Sequence, residues 1–274
     1  MLKARCFWVF VITMLAFVNV SAYADDGGCD GRIVDSVGKH FHIQHFDSSP
    51  DDGVIVAAAC KIWPYKDDLV IAVFAYRLPS DGKNSGDKAN AEGEKELLIA
   101  TVDKNTRDIV SSYQTTIMED AMTQVGWGAF TIDTAGYQLS KDVRAFGIVF
   151  FSSAVGPSCA DNSFYNELTL FVPEGKALRP IFRQFKNVQH ALSGCIGSAT
   201  GKDAWENAAL SIAVTKTTSN GYADLKLTAA IEPGTNIEPP PADMKLKKRK
   251  ENTLLHFDGN TYTQGADAPW WLLQ

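Results

Sequence analysis

The sequence predicts an all-β protein with little helix, built from antiparallel hairpins. Short runs of β-branched and aromatic residues alternate with turn residues at close intervals. Asn220-Gly221 and Asp258-Gly259 are residue pairs that adopt positive φ in two-residue hairpins, so the strands beside them should run antiparallel. The predicted strands are 53–63, 68–78, 96–102, 107–116, 143–152, 167–172, 178–185, 208–217, 222–230 and 253–257.

The arrangement of these strands is predicted from a weak internal repeat. Residues 96–110 and 167–182 share a strand-turn-strand pattern, and two later hairpins resemble it. Repeated hairpins favour a small β-propeller-like domain, with a two-sheet β-sandwich as the alternative. One segment shows helical spacing of apolar residues and predicts a short helix, namely Ile117, Met118, Ala121, Met122 and Val125.

The first 24 residues have the features of a cleaved signal peptide. Lys3 and Arg5 precede an uncharged stretch at 7–20, and Ala22-Tyr23-Ala24 offers a cleavage site between small residues. The stretch is shorter than the roughly 20 residues of a spanning helix, so no stable membrane insertion is expected. We therefore expect cleavage near Ala24 and a periplasmic or secreted protein.

The remaining residues 25–274 are predicted to form a single β-rich domain. They carry 24 basic and 32 acidic residues, a net charge of −8. Nucleic acid is therefore not expected as a partner, because binding phosphates requires clustered basic side chains. Two segments interrupt the β pattern: a flexible loop at 80–94 and a Pro-rich connector at 233–243.

Four cysteines remain after signal cleavage, and an even number in an exported chain predicts two disulfides. Sequence order alone allows three pairings. We expect Cys29 with Cys60 and Cys159 with Cys195, because each pair closes a local loop. The spacing does not match a zinc site.

One candidate site is a pair of histidines that could bind a metal ion. If 39–46 (KHFHIQHF) formed a strand, His40 and His42 would share one face, as a His-x-His pair does. The same alternation is also typical of a half-exposed strand. Residues 81–92 match a calcium loop poorly because Lys83 occupies a ligand position, and GSATGK at 197–202 departs from a phosphate loop. No cofactor is expected.

Surface recognition residues are predicted from two features. The basic run 245–250 could bind an anionic surface through Lys247, Lys248 and Arg249, or could protect a strand edge from aggregation. Tryptophans offer large apolar faces for a sugar or a protein. The candidates are Trp205, Trp270 and Trp271.

The motifs that announce catalytic mechanisms are absent, so no catalytic residue is assigned. The leading hypothesis is a non-enzymatic binding protein of the cell envelope that recognises or inhibits another protein, such as an immunity or inhibitor protein against an envelope-acting enzyme or toxin. The alternatives are a glycan or small-ligand binding β-propeller, and a hydrolase with a dispersed active site that uses, for example, His190.

Overall fold

The protein is all-β, as predicted. A computed structural model describes residues 28–49, 52–77, 93–197, 202–238, 247–263 and 268–272, so the predicted signal peptide lies outside the described residues. The elements are α1 (Gly31–His40), β1 (Ile55–Trp63), β2 (Lys66–Tyr76), β3 (Glu94–Asp103), β4 (Ile109–Met118), β5 (Val125–Asp133), β6 (Phe146–Ser152), β7 (Asn162–Glu174), β8 (Ala177–Ser193), β9 (Ala204–Ser219), β10 (Tyr222–Thr235), β11 (Arg249–Phe257) and β12 (Tyr262–Thr263).

The strands form two antiparallel meanders that are joined by one β-bridge. Strands β1 to β4 pair in sequence order, and so do β5 to β12. A single parallel bridge, Ser112 with Ala177, links β4 to β8. The described strands thus join one mixed sheet, and the separate blades of a propeller are not confirmed.

Strand β2 explains how the first meander is covered on both sides. Its odd residues, such as Ile71, pack into a core shared with β5 and β6, whereas its even residues, such as Phe74, pack against α1 through Ile33 and Val37. Both sets are buried because side chains alternate between the faces of a strand. A third core lies between β6–β8 and β9–β11 and includes Leu170 and Leu225. Different parts of the mixed sheet therefore pack face to face around these cores.

The strand at 39–46 that a His40–His42 pair would require does not form. Asp30 accepts a hydrogen bond from the backbone N–H of Arg32 and caps a helix that continues to His40. The apolar residues Ile33 and Val37, spaced four apart, bury one face of that helix. His42 then lies in a turn with φ of 56°.

The helix predicted at 117–125 is also absent. Ile117 and Met118 end β4, and Val125 begins β5. Between them the Asp120 side chain accepts hydrogen bonds from the N–H groups of Met122 and Thr123, which fixes a turn. Local capping by an aspartate therefore overrides the helical spacing.

Two turns were predicted from Asn-Gly and Asp-Gly pairs. Asn220 and Gly221 form the two-residue β9–β10 turn, with φ of 47° and 87°. The β11–β12 hairpin instead has a four-residue loop, since Phe257 pairs with Tyr262. Asp258 accepts hydrogen bonds from Asn260 and Thr261 N–H groups there.

Both predicted disulfides are present. Cys29 pairs with Cys60 and ties the start of α1 to β1, while Cys159 pairs with Cys195. Two disulfides indicate an oxidising environment such as the periplasm or cell exterior. The connector predicted at 233–243 begins later than expected, because β10 continues to Thr235, and 239–243 are outside the described residues. Of the loop predicted at 80–94, only 93–94 are described, and Glu94 begins β3.

Candidate functional site: an apolar cleft between two strands

A cleft of about 790 Å³ opens where β4 separates from β8. Its walls come from β3 and β4 on one side and from β5, β6, β7 and β8 on the other, with the β11–β12 hairpin at one end. Ligand sites typically have volumes of roughly 300–1,000 Å³. We define this space as the cleft.

The separation of β4 and β8 has a cause in the sequence. At their bridge, the Ser112 N–H donates to the Lys176 carbonyl at 3.0 Å. Residues two apart on a strand direct their backbone groups to the same edge, so the positions that would continue this ladder on β8 are 178 and 180. Position 180 is proline, which has no N–H to donate. The ladder therefore lacks a donor at this position, and β4 and β8 pair through one bridge in the described residues.

The interior of the cleft is mostly aromatic and aliphatic. Tyr113 and Phe171 have ring centroids 5.3 Å apart, and Phe130 and Phe150 are 5.6 Å apart. Phe164 is partly exposed and contacts Phe185 at 5.0 Å. Further apolar lining comes from Leu97, Ile99, Ile117, Met118, Met122, Ile148 and Phe182. Such a surface favours an apolar ligand body.

Charged groups in the cleft lining are few and paired. In the part of the chain that the structure describes, Arg183 is the one basic and Glu167 the one acidic lining residue. The guanidinium donates two hydrogen bonds to the carboxylate across β7 and β8, which raises the pKa of Arg183. The Arg183 side chain is 62% exposed, so a second anion can reach it.

Tyr262 closes the end of the cleft near β12. Its hydroxyl donates to the Ala223 carbonyl at 2.6 Å, and its ring contacts Phe182. Burial, with the negative charge of Asp224 as a smaller cause, raises the pKa of Tyr262. A neutral, hydrogen-bonded phenol therefore forms this wall over the ordinary pH range.

None of the three tryptophans predicted to bind a ligand lines the cleft. Trp271 is 1% exposed and its Nε1 donates to Glu251 at 2.7 Å, so it is a core residue. Trp205 lies over Gly234. Trp270 packs on His190 at 5.3 Å, on the face opposite to Trp205, because Trp205 pairs with the next residue, Ala191.

The predicted basic surface is largely neutralised by acidic neighbours. Lys248 contacts Glu232 at 2.8 Å, and Arg249 pairs with Glu206 and Glu251. Hydrogen bonds from Arg249, first to Glu206 and then to Glu251, raise the pKa of the arginine. Lys247 is exposed. Residues 249–250 of the run begin β11, and residues 245–246 lie outside the described residues.

The histidine candidates do not form a metal site. His40 ends α1 and His42 lies in the following turn, so the strand that would have paired them does not exist. No cluster of three potential ligands occurs within residues the structure describes. His190 instead bonds the Asn162 side chain through Nδ1 at 2.8 Å.

One group of side chains resembles a hydrolase relay, but its geometry does not fit. Ser219 Oγ lies 3.1 Å from Nδ1 of His256, and Asp224 Oδ1 lies 3.2 Å from the same ring nitrogen. A relay requires the nucleophile and the carboxylate on different nitrogens of the imidazole. This group stabilises the β9–β10 turn, where hydrogen bonds to Thr217, Ser219 and His256 outweigh burial and lower the pKa of Asp224.

Comparison with protein-family models, curated proteins and solved structures gave no match. In addition, no helix in the described ranges is long and apolar enough to cross a membrane. The interpretation of the cleft therefore depends on its own residues. Sequence patterns did not reveal it because its walls come from distant strands; the one local signal is Pro180 within a run that otherwise predicts a central strand.

Proposed function

We propose that the chain is an exported, non-enzymatic binding protein that holds an amphipathic small molecule with an acyl-like apolar body in the cleft. The observation that carries this proposal is an accessible space of about 790 Å³ lined by aromatic and aliphatic side chains. A core of this composition gains free energy from any apolar occupant that displaces water. Export is proposed from the basic start, apolar stretch and small-residue site at 1–24.

The orientation of the ligand follows from the charges. The apolar body lies among Phe130, Phe150 and Phe171, and an anionic or zwitterionic head group lies at Arg183. Arg183 is accessible enough to bind a carboxylate or phosphate oxygen while retaining Glu167 as a partner. The head group therefore adds selectivity, and the apolar body supplies most of the affinity.

The test is a displacement titration of residues 25–274 with both disulfides formed. The protein is loaded with an anilinonaphthalene sulfonate dye, excited where tryptophan does not absorb, and the dye is displaced by fatty acids of increasing chain length. We expect affinity to rise with each added methylene, by up to about 0.8 kcal/mol, until the cleft is filled. Affinity that does not depend on chain length would contradict the proposal.

A matched pair of variants locates the binding. Thr115→Trp places a large ring at an exposed position of β4 that lines the cleft, whereas Val110→Trp places it at an exposed position of the same strand outside the cleft. We expect Thr115→Trp to weaken fatty-acid binding by about tenfold, equivalent to about 1.4 kcal/mol. Val110→Trp should bind as the unsubstituted protein does.

Recognition of another protein, as an inhibitor or immunity protein, is the second candidate function. It is favoured by β11, which pairs with β10 along one edge, while the opposite edge of residues 249–255 pairs with no strand in the described ranges. Such an edge can accept an extended partner segment. Capture of one envelope protein that is lost in Leu254→Asp and retained in Leu192→Asp would support it. Capture unaffected by Leu254→Asp would argue against this edge.

A further inference from the structure

Four exposed apolar side chains lie on two neighbouring segments beside one end of the cleft. We define Met118, Met122, Trp127 and Val155 as the apolar rim. Trp127 is 79% exposed and Val155 is fully exposed, which is unusual for large apolar residues in a folded protein. Two of the four, Met118 and Met122, also line the cleft. The rim is therefore continuous with the proposed binding site.

The rim is formed where two segments of the chain run side by side. The Ser153 N–H donates to the Gln124 carbonyl at 2.9 Å, and Val125 pairs with Ser152. Gly156 lies beside the Met122 sulfur. The segments 118–127 and 151–156 therefore lie side by side, and Val155, next to Gly156, lies close to Met122.

Trp127 is held outward by the backbone. The β5–β6 register shifts between Val125 and Phe130, so that 126–129 form a bulge opposite Phe151. Gly128 has φ of 81°, a conformation that glycine adopts without strain, and a side chain there would contact nothing within 4 Å. The bulge therefore presents the indole on a glycine-flanked protrusion.

The remainder of the rim is also fixed in place. Ser152 Oγ donates to the Met122 carbonyl at 2.9 Å and accepts from the Gln124 N–H at 3.0 Å. Glu119 accepts from the Val125 N–H at 2.8 Å. These hydrogen bonds hold the turn in one conformation, and in that conformation the Met122 side chain is exposed.

The charge of these segments restricts the partner. Residues 118–127 and 151–156 contain no Lys or Arg, and their acidic residues are Glu119 and Asp120. Glu119 is paired with Lys95, and the Asp120 carboxylate caps the turn. An uncharged to weakly acidic apolar surface suits a zwitterionic lipid surface and disfavours an anionic one.

We propose that the apolar rim docks on a zwitterionic lipid surface and that an acyl-chain ligand enters the cleft from that surface. This inference rests on the proposed function, since an acyl-chain ligand is concentrated in membranes. Tryptophan and methionine side chains on a protrusion enter the interfacial region, where the indole N–H stays hydrated. Met118 and Met122 then form a continuous apolar path from the lipid to Phe130 and Phe150.

The experiment is flotation of residues 25–274 with phosphatidylcholine vesicles, with and without added phosphatidylglycerol. We expect binding to phosphatidylcholine, and weaker binding as phosphatidylglycerol is added at low salt. Trp127→Ser/Val155→Ser should raise the lipid concentration for half-maximal binding by about tenfold or more. The matched control, Leu192→Ser/Leu254→Ser, removes two exposed apolar residues outside the rim and should bind as before.

The dye displacement titration separates this inference from the proposed function. Trp127 and Val155 do not line the cleft, so Trp127→Ser/Val155→Ser should keep its fatty-acid affinity within about twofold. Fatty-acid binding without vesicle binding would overturn the rim proposal and leave the cleft intact. Stronger binding to phosphatidylglycerol, or a rim that captures a protein and no vesicle, would also overturn it.

Discussion

Glu119 forms a buried ion pair with Lys95 in the first meander and also accepts a hydrogen bond from Val125 at the start of the second. Glu119 Oε2 lies 2.6 Å from Lys95 Nζ, and both side chains are 7% exposed. The other carboxylate oxygen accepts the Val125 N–H at 2.8 Å. One side chain thus fixes β3, the β4–β5 turn and the first residue of β5, which together carry one end of the cleft.

Removing the negative charge of Glu119 should destabilise the protein strongly. In Glu119→Gln the Val125 N–H keeps an acceptor, but the negative charge beside Lys95 is lost. We expect the free energy of unfolding to fall by about 3 kcal/mol, measured by urea denaturation, because breaking a buried pair from one side leaves a charge in a poorly solvated site. Glu232→Gln, which breaks the exposed pair with Lys248, should cost less than about 1 kcal/mol. Equal losses in both variants would contradict this account.

Trp271 should support folding and have no part in ligand binding. Trp271→Ala removes a fully buried indole that bonds Glu251, and Trp→Ala changes in cores cost about 3–5 kcal/mol. Trp271→Phe retains most of the packing and should cost less. Because the side chain does not line the cleft, dye and fatty-acid affinities measured below the unfolding temperature should be unchanged. A loss of affinity with unchanged stability would restore Trp271 as a binding residue.

Tyr262 should make the protein sensitive to alkaline pH. Its pKa is raised in the folded state by burial, so stability is fully present below the unfolded value of about 10 and is lost as pH rises above it. At neutral pH, Tyr262→Phe should cost about 1 kcal/mol, for the hydrogen bond to Ala223.

Above pH 10 the loss of unfolding free energy in Tyr262→Phe should shrink and then change sign, because the variant has no phenol to ionise. Denaturant titrations between neutral pH and pH 11 measure the difference. Tyr165→Phe is the control, since that tyrosine is 46% exposed and its substitution should have little effect at any pH in this range. A Tyr262→Phe cost that stays constant above pH 10 would contradict the raised pKa.

The disulfide Cys29–Cys60 should hold α1 on the sheet. Replacing both cysteines by serine frees a loop closed over a sequence separation of 31 and should cost about 3–4 kcal/mol in the chain-entropy model. Hydrogen exchange should show that the amides of α1, including those near Ile33 and Val37, lose protection. Replacing Cys159 and Cys195, with a separation of 36, should cost a similar amount without exposing α1. Loss of α1 protection in both variants would indicate global unfolding.

Local sequence signals predicted much of the fold. Ten runs of β-branched and aromatic residues each overlap a strand, and the two disulfides join the cysteines that close local loops. Strand β5 was missed because Val125 was assigned to a helix and because the glycines around Trp127 obscure the alternation. Helix α1 was missed because its buried face depends on few residues, Ile33 and Val37, among β-branched neighbours.

The cleft could not be predicted in the same way. Its walls are assembled from strands far apart in the chain, and the gap depends on which strand lies beside β8. Pro180 indicates a break in strand pairing only when it is known that this edge of β8 faces β4. The sequence favoured Trp205, Trp270 and Trp271 as binding residues, but the exposed tryptophan beside the cleft is Trp127. Local residue patterns do not determine which distant strands pair or which side chains are exposed.

The central claim is that the cleft between β4 and β8 holds an acyl chain. The most direct measurement is photo-crosslinking of residues 25–274 with a fatty acid that carries a diazirine near the end of its chain, followed by peptide mapping. We predict labelling of Tyr113, Phe150, Phe171 or their immediate neighbours, and loss of that labelling with excess unlabelled fatty acid and in Thr115→Trp. Labelling at Trp205 or Trp270, or labelling that excess fatty acid does not reduce, would contradict the claim.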